Sequence, residues 1–257
     1  NMKRRVLFWP ILFLLSLPLL GCERSSQDAL HVAVASNFAA TARELAKIFE
    51  TETGMSVMII PGSSGKLAAQ IQQGAPFHVF LSADEETPLK LVRKGAAIPH
   101  TQFTYAIGRL ALFGQRVSFP DVSLEVLFEL DPSSRLAIAF PALAPYGRAA
   151  KETLISLDVW EDVEKHLVQG ENISQAWHFL SSDNADLGFV AYSQLDVTQQ
   201  DAAWLIPPYH HTPIRQNAIL LQDSPSARHF LKFLASPTAR RMVEKDGYLL
   251  PPLLHAE

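Results

Sequence analysis

The chain has 257 residues, of which 22 are lysine or arginine, 26 are aspartate or glutamate and one is cysteine. The single cysteine excludes an intrachain disulfide. The formal net charge of −4 disfavours nucleic acid as a partner, because binding to phosphate backbones requires clustered positive charge. With 48% apolar residues, the chain can bury one large core or two ordinary ones.

The N-terminal segment predicts secretion. Asn1 precedes Met2 and is expected to be a cloning remainder. Residues 3–5 are basic, and residues 6–20 are an apolar run broken by two prolines. Because this run is shorter than the roughly 20 residues of a membrane span, it indicates a signal peptide at residues 1–21.

The signal ends in Leu-Leu-Gly-Cys at residues 19–22, which resembles the lipobox of bacterial lipoproteins. We therefore expect the mature chain to begin at Cys22, to carry lipid on this thiol and to be held at a membrane, with residues 22–29 as a tether. The alternative is an ordinary cleaved signal with an incidental cysteine. Removal of the signal leaves 19 basic and 26 acidic residues, a net charge of about −7, so a bound anion would need local dipoles.

From residue 30 onward, strand-like and helix-like segments alternate, which is typical of an α/β protein. Strands are predicted at 31–35, 55–60, 77–81, 109–113, 135–140, 187–191 and 216–221. Helices are predicted at 36–54, 63–74, 89–95, 124–130, 147–157 and 173–180 and at two C-terminal positions.

Several helix ends are predicted from individual residues. Ser36 and Asn37 are expected to cap the first helix. The two C-terminal helices begin at Ser224-Pro225 and Ser236-Pro237, and Gly247 closes the second. Proline suits the first helical position and glycine the position just after the end.

Four helix starts share small, hydroxyl or amide residues. They are Ser36-Asn37, Ser63-Ser64, Pro145-Tyr146-Gly147 and Glu171-Asn172-Ile173. The first amides of a helix are unpaired and partially positive, so they can hold an oxyanion without lysine or arginine. In an open sheet such turns lie at the carboxyl ends of strands, and two starts from each half of the chain would line a cleft. For any single start, helix capping alone is the alternative.

The same turns lie within segments that, in this order, resemble the periplasmic molybdate-binding proteins of ABC transporters. The segments are 34–37 (VASN), 62–68 (GSSGKLA), 72–76 (QQGAP), 80–84 (FLSAD), 143–150 (LAPYGRAA), 171–173 (ENI), 187–191 (LGFVA), 213–216 (PIRQ) and 247–248 (GY). Together they cover essentially all of residues 30–250.

The resemblance implies a two-lobed α/β fold of the periplasmic-binding-protein type (type II). Each lobe is expected to be a mixed, mostly parallel sheet flanked by helices. The chain would cross between the lobes twice, near 105–107 and 212–215. Lobe 1 then comprises residues 30–106 plus 214–257, and lobe 2 comprises residues 107–213.

The resemblance also implies the ligands of the oxyanion. They are the hydroxyl and amide of Ser36 and of Ser64, Asn37, and the backbone amides of Tyr146 and Ile173. Supporting roles are implied for Ser63, Lys66, Arg148 and Tyr192.

These supporting roles differ in kind. Ser63 is expected to support its turn, while Lys66 and Arg148 either steer anions toward the cleft or are simply solvated. Some relatives add a tyrosine hydroxyl where this chain has Ala191, followed by Tyr192, which implies a subgroup without that contact. A histidine at position 78, where many relatives have aspartate, affects a local hydrogen bond rather than the site.

Two enzyme motifs fail around the second helix start. A phosphate-binding loop would need glycine and a hydroxyl residue where Ile60 and Leu67 stand. A serine-hydrolase elbow would need glycine in place of Lys66. His210 and His211 have no further ligand at metal spacing, so no metal site is expected.

The sequence therefore predicts a non-catalytic, monomeric, extracytoplasmic binding protein, lipid-anchored, that delivers molybdate or tungstate to the permease of an ABC importer. No cofactor is expected apart from the anion as ligand. The alternatives are a receptor for another tetrahedral oxyanion such as sulfate and, from a different class, an enzyme or regulator on the same fold. Because the four turns contain only Glu171 as an acid and no basic DNA-binding segment precedes residue 30, the last two are disfavoured.

Overall fold

The structure is a computed structural model that describes residues 29–116, 124–127 and 130–252. The predicted signal peptide, Cys22 and nearly all of the tether lie outside the described residues, as does part of the helix predicted near 124–130. Within the described ranges, no helix is both long enough and apolar enough to cross a membrane.

The described residues alternate between strands and helices, as predicted. The strands are β1 (Leu30–Ala35), β2 (Val57–Gly62), β3 (Val79–Ser82), β4 (Phe103–Gly108), β5 (Leu110–Phe113), β6 (Leu136–Ala139), β7 (Leu167–Gly170), β8 (Leu187–Ala191), β9 (Trp204–Leu205) and β10 (Ile214–Leu220). The α-helices are α1 (Ala39–Thr53), α2 (Ser64–Gln72), α3 (Glu86–Arg93), α4 (Pro145–Ser156), α5 (Trp160–Val163), α6 (Ile173–Ser181), α7 (Val197–Ala202), α8 (Pro225–Leu234) and α9 (Pro237–Lys245).

The strands form two five-stranded sheets with the same arrangement. The first sheet has the order β2-β1-β3-β10-β4, and the second has the order β7-β6-β8-β5-β9. In each sheet three neighbouring strands are parallel, and the other two pair antiparallel. Because helices pack against both sheets, the predicted two-lobed, mixed α/β fold is confirmed.

The first crossing between the sheets lies at Arg109. β4 ends at Gly108 in the first sheet, and β5 begins at Leu110 in the second. The position predicted from the sequence, 105–107, falls before this point, because Ile107 still pairs with β10 in the first sheet.

The second crossing returns the chain to the first sheet. It follows a 3₁₀ turn at Pro208–His210 and ends where β10 begins at Ile214, so it overlaps the predicted segment 212–215. The C-terminal helices α8 and α9 then pack into the core of the first sheet. The first lobe is therefore discontinuous in sequence.

Each lobe has its own hydrophobic core. All four residues of β3 are buried, as is typical of a central strand covered by helices on both faces. Phe38, Phe49 and Phe230 fill the first lobe, whereas Tyr146 and Phe189 belong to the core of the second. The core of the second lobe also contacts Ala35, Ala83 and Ile214 of the first lobe. Most of each core nevertheless lies within one lobe, which allows the lobes to move as units about the two crossings.

The predicted ends of the last two helices are confirmed. The hydroxyls of Ser224 and Ser236 each accept a hydrogen bond of 3.2 Å from the third residue of the following helix. Gly247 has a φ of +92°, a left-handed conformation that favours glycine.

The predicted capping of the first helix is wrong. Residues Ser36–Phe38 form a 3₁₀ turn, α1 begins at Ala39, and no side chain caps either segment. The physical reason is that the Asn37 side chain is bonded to distant residues of the same lobe, as described below.

His78 lies beside the beginning of β1, whereas Ser36 follows the end of that strand. Its Nδ1 accepts a hydrogen bond of 3.0 Å from the backbone amide of His31. Burial, and then the neighbouring His31, lower the pKa of His78. The neutral ring therefore remains an acceptor, and this departure from the relatives does not touch the turns that follow the strands.

Candidate oxyanion-binding site

The helix starts of the two lobes meet around one small cavity. Its volume is about 10 Å³, which is room for about one water molecule. Sites for organic ligands typically measure about 300 to 1,000 Å³, so this cavity suits only a small ion. Its lining residues are Ala35, Ser36, Asn37, Gly62, Ser63, Ser64, Ala83, Ala144, Pro145, Tyr146, Asn172 and Ile173.

None of these lining residues has a charged side chain. The polar groups on offer are backbone amides, serine hydroxyls and side-chain amides. Burial, and then the nearby Tyr248, raise the pKa of Tyr146 well above its usual value, so its phenol stays neutral. An anion in the cavity would therefore meet hydrogen-bond donors without a competing negative charge.

The first lobe supplies its part of the lining from three parallel strands. β1 leads into Ser36, β2 leads into Ser63 and Ser64, and β3 leads into Ala83. β1 pairs parallel with both β2 and β3. Their carboxyl ends therefore share one edge of the sheet, which is the usual ligand edge of an open α/β sheet.

The second lobe supplies the starts of α4 and α6. Pro145 is the first residue of α4 and has no N–H, so Tyr146 carries the first available amide. Ile173 is the first residue of α6, and Asn172 caps this helix by accepting a hydrogen bond of 3.1 Å from the amide of Gln175. Helix geometry leaves the amides of Tyr146 and Ile173 without an intrahelical acceptor.

Ser64 is held by a contact that the sequence reasoning missed. The backbone amide of Ala83 donates to the Ser64 hydroxyl oxygen at 2.9 Å, and Ser64 is 1% exposed. Since this bond uses a lone pair, the hydroxyl proton remains free to be donated. The available signal was the segment Ser82-Ala83-Asp84, which ends β3 at the same sheet edge.

Asn37 connects the cavity to the region of the crossings. Its Nδ2 donates to Gln216 Oε1 at 2.8 Å and to the Tyr248 hydroxyl at 3.2 Å. The Tyr248 hydroxyl in turn donates to the backbone oxygen of Asn37 at 2.8 Å. These bonds occupy both protons of the side-chain amide, so a donation from Asn37 to an anion would have to come from its backbone amide.

Two hydrogen bonds join the lobes beside the cavity. The amide of Gly65 in α2 donates to the carbonyl of Leu143 at 2.9 Å. The hydroxyl of Ser174 in α6 donates to the carbonyl of Ser36 at 3.2 Å. The structure therefore has the lobes closed over the cavity.

The two cations predicted near the cleft also bridge the lobes. Arg148 of α4 lies 2.7 Å from Asp84 and 3.3 Å from Glu86, and Lys66 of α2 lies 2.5 Å from Glu171. The Lys66–Glu171 and Arg148–Glu86 pairs are exposed, so each contributes about 0 to 1 kcal/mol, whereas Asp84 in the third pair is partly buried. Neither cation lines the cavity, and their role in steering anions stays a prediction.

Tyr192 does not line the cavity. Its ring lies under the guanidinium of Arg109, with 4.2 Å from the guanidinium carbon to the ring centroid. Its neighbour Ala191, the last residue of β8, is fully buried. In the closed structure Tyr192 therefore contacts the first crossing rather than the cavity.

The part of the chain that the structure describes contains no group of three or more histidine, cysteine, aspartate or glutamate side chains arranged to hold a metal ion. Of the adjacent histidines, His210 pairs through Nδ1 with the hydroxyl of Ser156 at 2.7 Å. His211 pairs through Nδ1 with the carbonyl of Thr212 at 2.8 Å.

Two α/β lobes that are joined by two crossings and closed over a small polar cavity define a solute-binding protein. The family described as bacterial extracellular solute-binding protein matches residues 30–249, and the chain belongs to this family.

Two sequence relatives and one solved structure indicate the branch of the family. The chain is 42% identical over 84% of its length to the molybdate-binding protein ModA of Rhodobacter capsulatus, covering 86% of that protein. It is 38% identical over 90% of its length to ModA of Azotobacter vinelandii, covering 93%. The solved periplasmic molybdate-binding protein of Azotobacter vinelandii matches with a TM-score of 0.81 at 36% identity, over 86% of this chain and 99% of that one.

The start of α4 depends on Gly147, which lies against β6. A Cβ atom at this position would lie 2.1 Å from the backbone oxygen of Ala139. We expect Gly147→Ala to lower the free energy of unfolding by roughly 1 to 3 kcal/mol, because the backbone of α4 or β6 must shift to make room for the added Cβ atom. Denaturant unfolding measures this, with Ile155→Ala on the exposed side of α4 as the control. Equal unfolding midpoints for the two variants would contradict the expectation.

Proposed function

We propose that this protein captures molybdate or tungstate in the cavity between its lobes and delivers the anion to the permease of an ABC importer. The observation that carries the proposal is the uncharged cavity formed by helix starts from both lobes. The relatives named as molybdate-binding proteins support the same ligand class. On this proposal the protein is not an enzyme and needs no cofactor.

The proposed ligand matches the donors around the cavity. A tetrahedral dianion near neutral pH offers only acceptors, so every group around it has to donate. We assign these donations to Ser36, Asn37, Ser64, Tyr146 and Ile173, whose residues all line the cavity. Asn37, Tyr146 and Ile173 can donate only through backbone amides.

The expected energies are sufficient without a charged partner. Hydrogen bonds to charged groups contribute roughly 1.5 to 3 kcal/mol each, and each helix start adds about 0.3 to 1 kcal/mol. Five such bonds sum to roughly 8 to 15 kcal/mol, against the roughly 8 to 12 kcal/mol of micromolar to nanomolar binding. The helix starts add to this sum and help to offset the loss of translational and rotational freedom on association.

Selection among oxyanions would depend on size and protonation. A rigid shell of amides cannot contract around the shorter bonds of sulfate, so some donors would be left unpaired. Hydrogen phosphate brings a proton to a site whose groups already donate. A receptor for sulfate on the same fold is the alternative that this argument disfavours.

An enzyme on the same fold is the second alternative. Catalysis of proton transfer or nucleophilic attack would need a titratable or activated group in the cavity. Glu171, the acid nearest to the helix starts in sequence, is paired with Lys66 at the rim and is not a lining residue. The lining therefore supports binding rather than chemistry.

Closure of the lobes is the step that would trap the anion in the cavity. The Gly65–Leu143 and Ser174–Ser36 hydrogen bonds join the lobes only when the cleft is shut. Closure buries the anion and changes the surface that both lobes present together, which a permease can recognise. We propose lobes of residues 30–106 plus 214–257 and of residues 107–213, in a monomeric protein.

The location of the protein belongs to the same proposal. Membership of a family of extracellular solute-binding proteins supports a location outside the cytoplasm. Lipid attachment at Cys22 and cleavage after residue 21 rest on the sequence of residues 1–22 alone. They would hold the receptor at the membrane that contains its permease.

The ligand is tested by calorimetric titration of the purified protein with molybdate, tungstate and sulfate. We expect tight binding of molybdate and tungstate and much weaker binding of sulfate, because the shorter sulfate would leave some donors unpaired. Tight binding of sulfate alone would favour the sulfate receptor. Absence of tight binding of molybdate and tungstate would overturn the proposal.

Ser64 is tested by Ser64→Ala. We expect affinity for molybdate to fall about ten- to hundredfold, because one hydroxyl bond to a charged ligand is lost. The control is Ser181→Ala, which removes an exposed hydroxyl bonded within α6. An unchanged dissociation constant for Ser64→Ala would remove Ser64 from the ligand set.

Closure is tested at Gly65. A Cβ atom there would lie 3.0 Å from the oxygen and 3.1 Å from the Cα of Leu143, so Gly65→Ala should keep the lobes from closing fully. We expect a loss of molybdate affinity of about five- to 150-fold, equivalent to 1 to 3 kcal/mol.

The matched control for Gly65 is Lys66→Ala. It removes only an exposed ion pair between the same lobes, and we expect less than about a fivefold effect. Small-angle scattering with saturating molybdate should give a larger radius of gyration for Gly65→Ala than for Lys66→Ala. Equal affinities and equal radii would contradict the closure argument.

A further inference from the structure

The hydroxyl of Ser63 is buried without a partner. Ser63 is 3% exposed, and no hydrogen-bond partner for its Oγ lies among the residues that the structure describes. Ser63 also lines the anion cavity. An unpaired hydroxyl in a buried position is unfavourable, so this side chain needs a reason to be there.

Helix capping does not supply that reason. Ser63 precedes α2 at the position where a serine normally caps a helix, with an extended backbone of φ −71° and ψ 147°, yet its side chain makes no capping bond. Ser224 and Ser236 have the same position before α8 and α9, and both hydroxyls cap their helices. The Ser63 hydroxyl is therefore not engaged in the contact that its sequence position would predict.

Ser63 and Ser64 differ in what holds them. The Ser64 hydroxyl accepts from the amide of Ala83 at 2.9 Å and has a fixed oxygen. The Ser63 hydroxyl makes no bond within the described protein and keeps its proton and both lone pairs. A bound oxyanion in the cavity is a partner of the required chemistry, because it accepts hydrogen bonds and is charged.

We propose that Ser63 donates its hydroxyl directly to the bound oxyanion, as a second hydroxyl ligand from the start of α2. This inference rests on the proposed function and deepens it, because it replaces support of the turn with contact to the ligand. The hydroxyl is unpaired in the protein alone and paired in the complex. Removal of the hydroxyl should therefore affect the two states in opposite directions.

The test compares the melting temperature without anion and the molybdate affinity of Ser63→Ala. The anion-free variant should melt at the same temperature as wild type or higher, because a buried unpaired hydroxyl is removed. Its molybdate affinity should fall about ten- to hundredfold, because one bond to a charged ligand is lost. Ser64→Ala should lower both quantities, because the amide of Ala83 also loses its partner.

Thr153→Val is the control. The Thr153 hydroxyl is buried and donates to the Ala149 carbonyl within α4, and Thr153 does not line the cavity. Its removal should leave molybdate affinity unchanged. If Ser63→Ala fails to fold, Ser63→Cys replaces the hydroxyl with a somewhat larger and weaker donor and should also lower the affinity for molybdate.

The outcomes separate this inference from the proposed function. If wild type binds molybdate and Ser63→Ala binds it equally well, or if the variant loses both affinity and melting temperature, Ser63 is structural and the inference is overturned. If wild type binds none of molybdate, tungstate and sulfate, the proposed function fails and the inference falls with it.

Discussion

The placement of uncharged hydrogen-bond donors around one small cavity is the constraint on which the rest of this structure depends. A backbone amide cannot be redirected by a change of rotamer, so it can be aimed only by placing the helix that begins with it. A strand followed by a turn and a helix does this, because it delivers the helix start to the edge of a sheet. One sheet surrounds an anion on one side only. The second lobe repeats the same sheet arrangement and supplies the opposite wall.

This requirement brings the backbones of helices, strands and loops close together around the cavity. The cavity is small, so the helix starts have to pack against strands and against each other with little side chain between them. Gly147 lets α4 lie against β6, and Gly65 lets α2 contact the loop that carries Leu143 in the other lobe. Glycine at these two positions is required by space rather than by backbone conformation. The resulting fit leaves room for a small inorganic ion and for little else.

Local features of the site could be predicted from the sequence, and long-range ones could not. Ser63-Ser64 and Ile173 were found because helix starts have characteristic residues over a few positions. The partners of Asn37 could not be found, because Gln216 and Tyr248 lie 179 and 211 residues away in the chain. The capping prediction failed for this reason: the side chain that suits a cap was engaged elsewhere.

Weak patterns account for two of the elements that were not predicted, α7 and β4. α7 has the sequence VTQQDA and no apolar face. Only the capping box of Asp196 and Gln199 indicates where this helix begins. β4 adjoins β5 with only Arg109 between them, so the sequence reads as one apolar stretch although the two strands belong to different sheets. The change of sheet is a property of the fold and has no local signal.

The charges at the rim fit an uncharged cavity in a net-negative chain. Lys66 and Arg148 each pair with a carboxylate of the opposite lobe. In the closed form these pairs cancel most of the field that either cation would project toward the anion. If the lobes open, each cation separates from its partner, because the two lie on different lobes. The net charge of the rim does not change, but each cation then lies apart from its carboxylate, and we expect it to attract an entering anion more strongly in the open form than in the closed form.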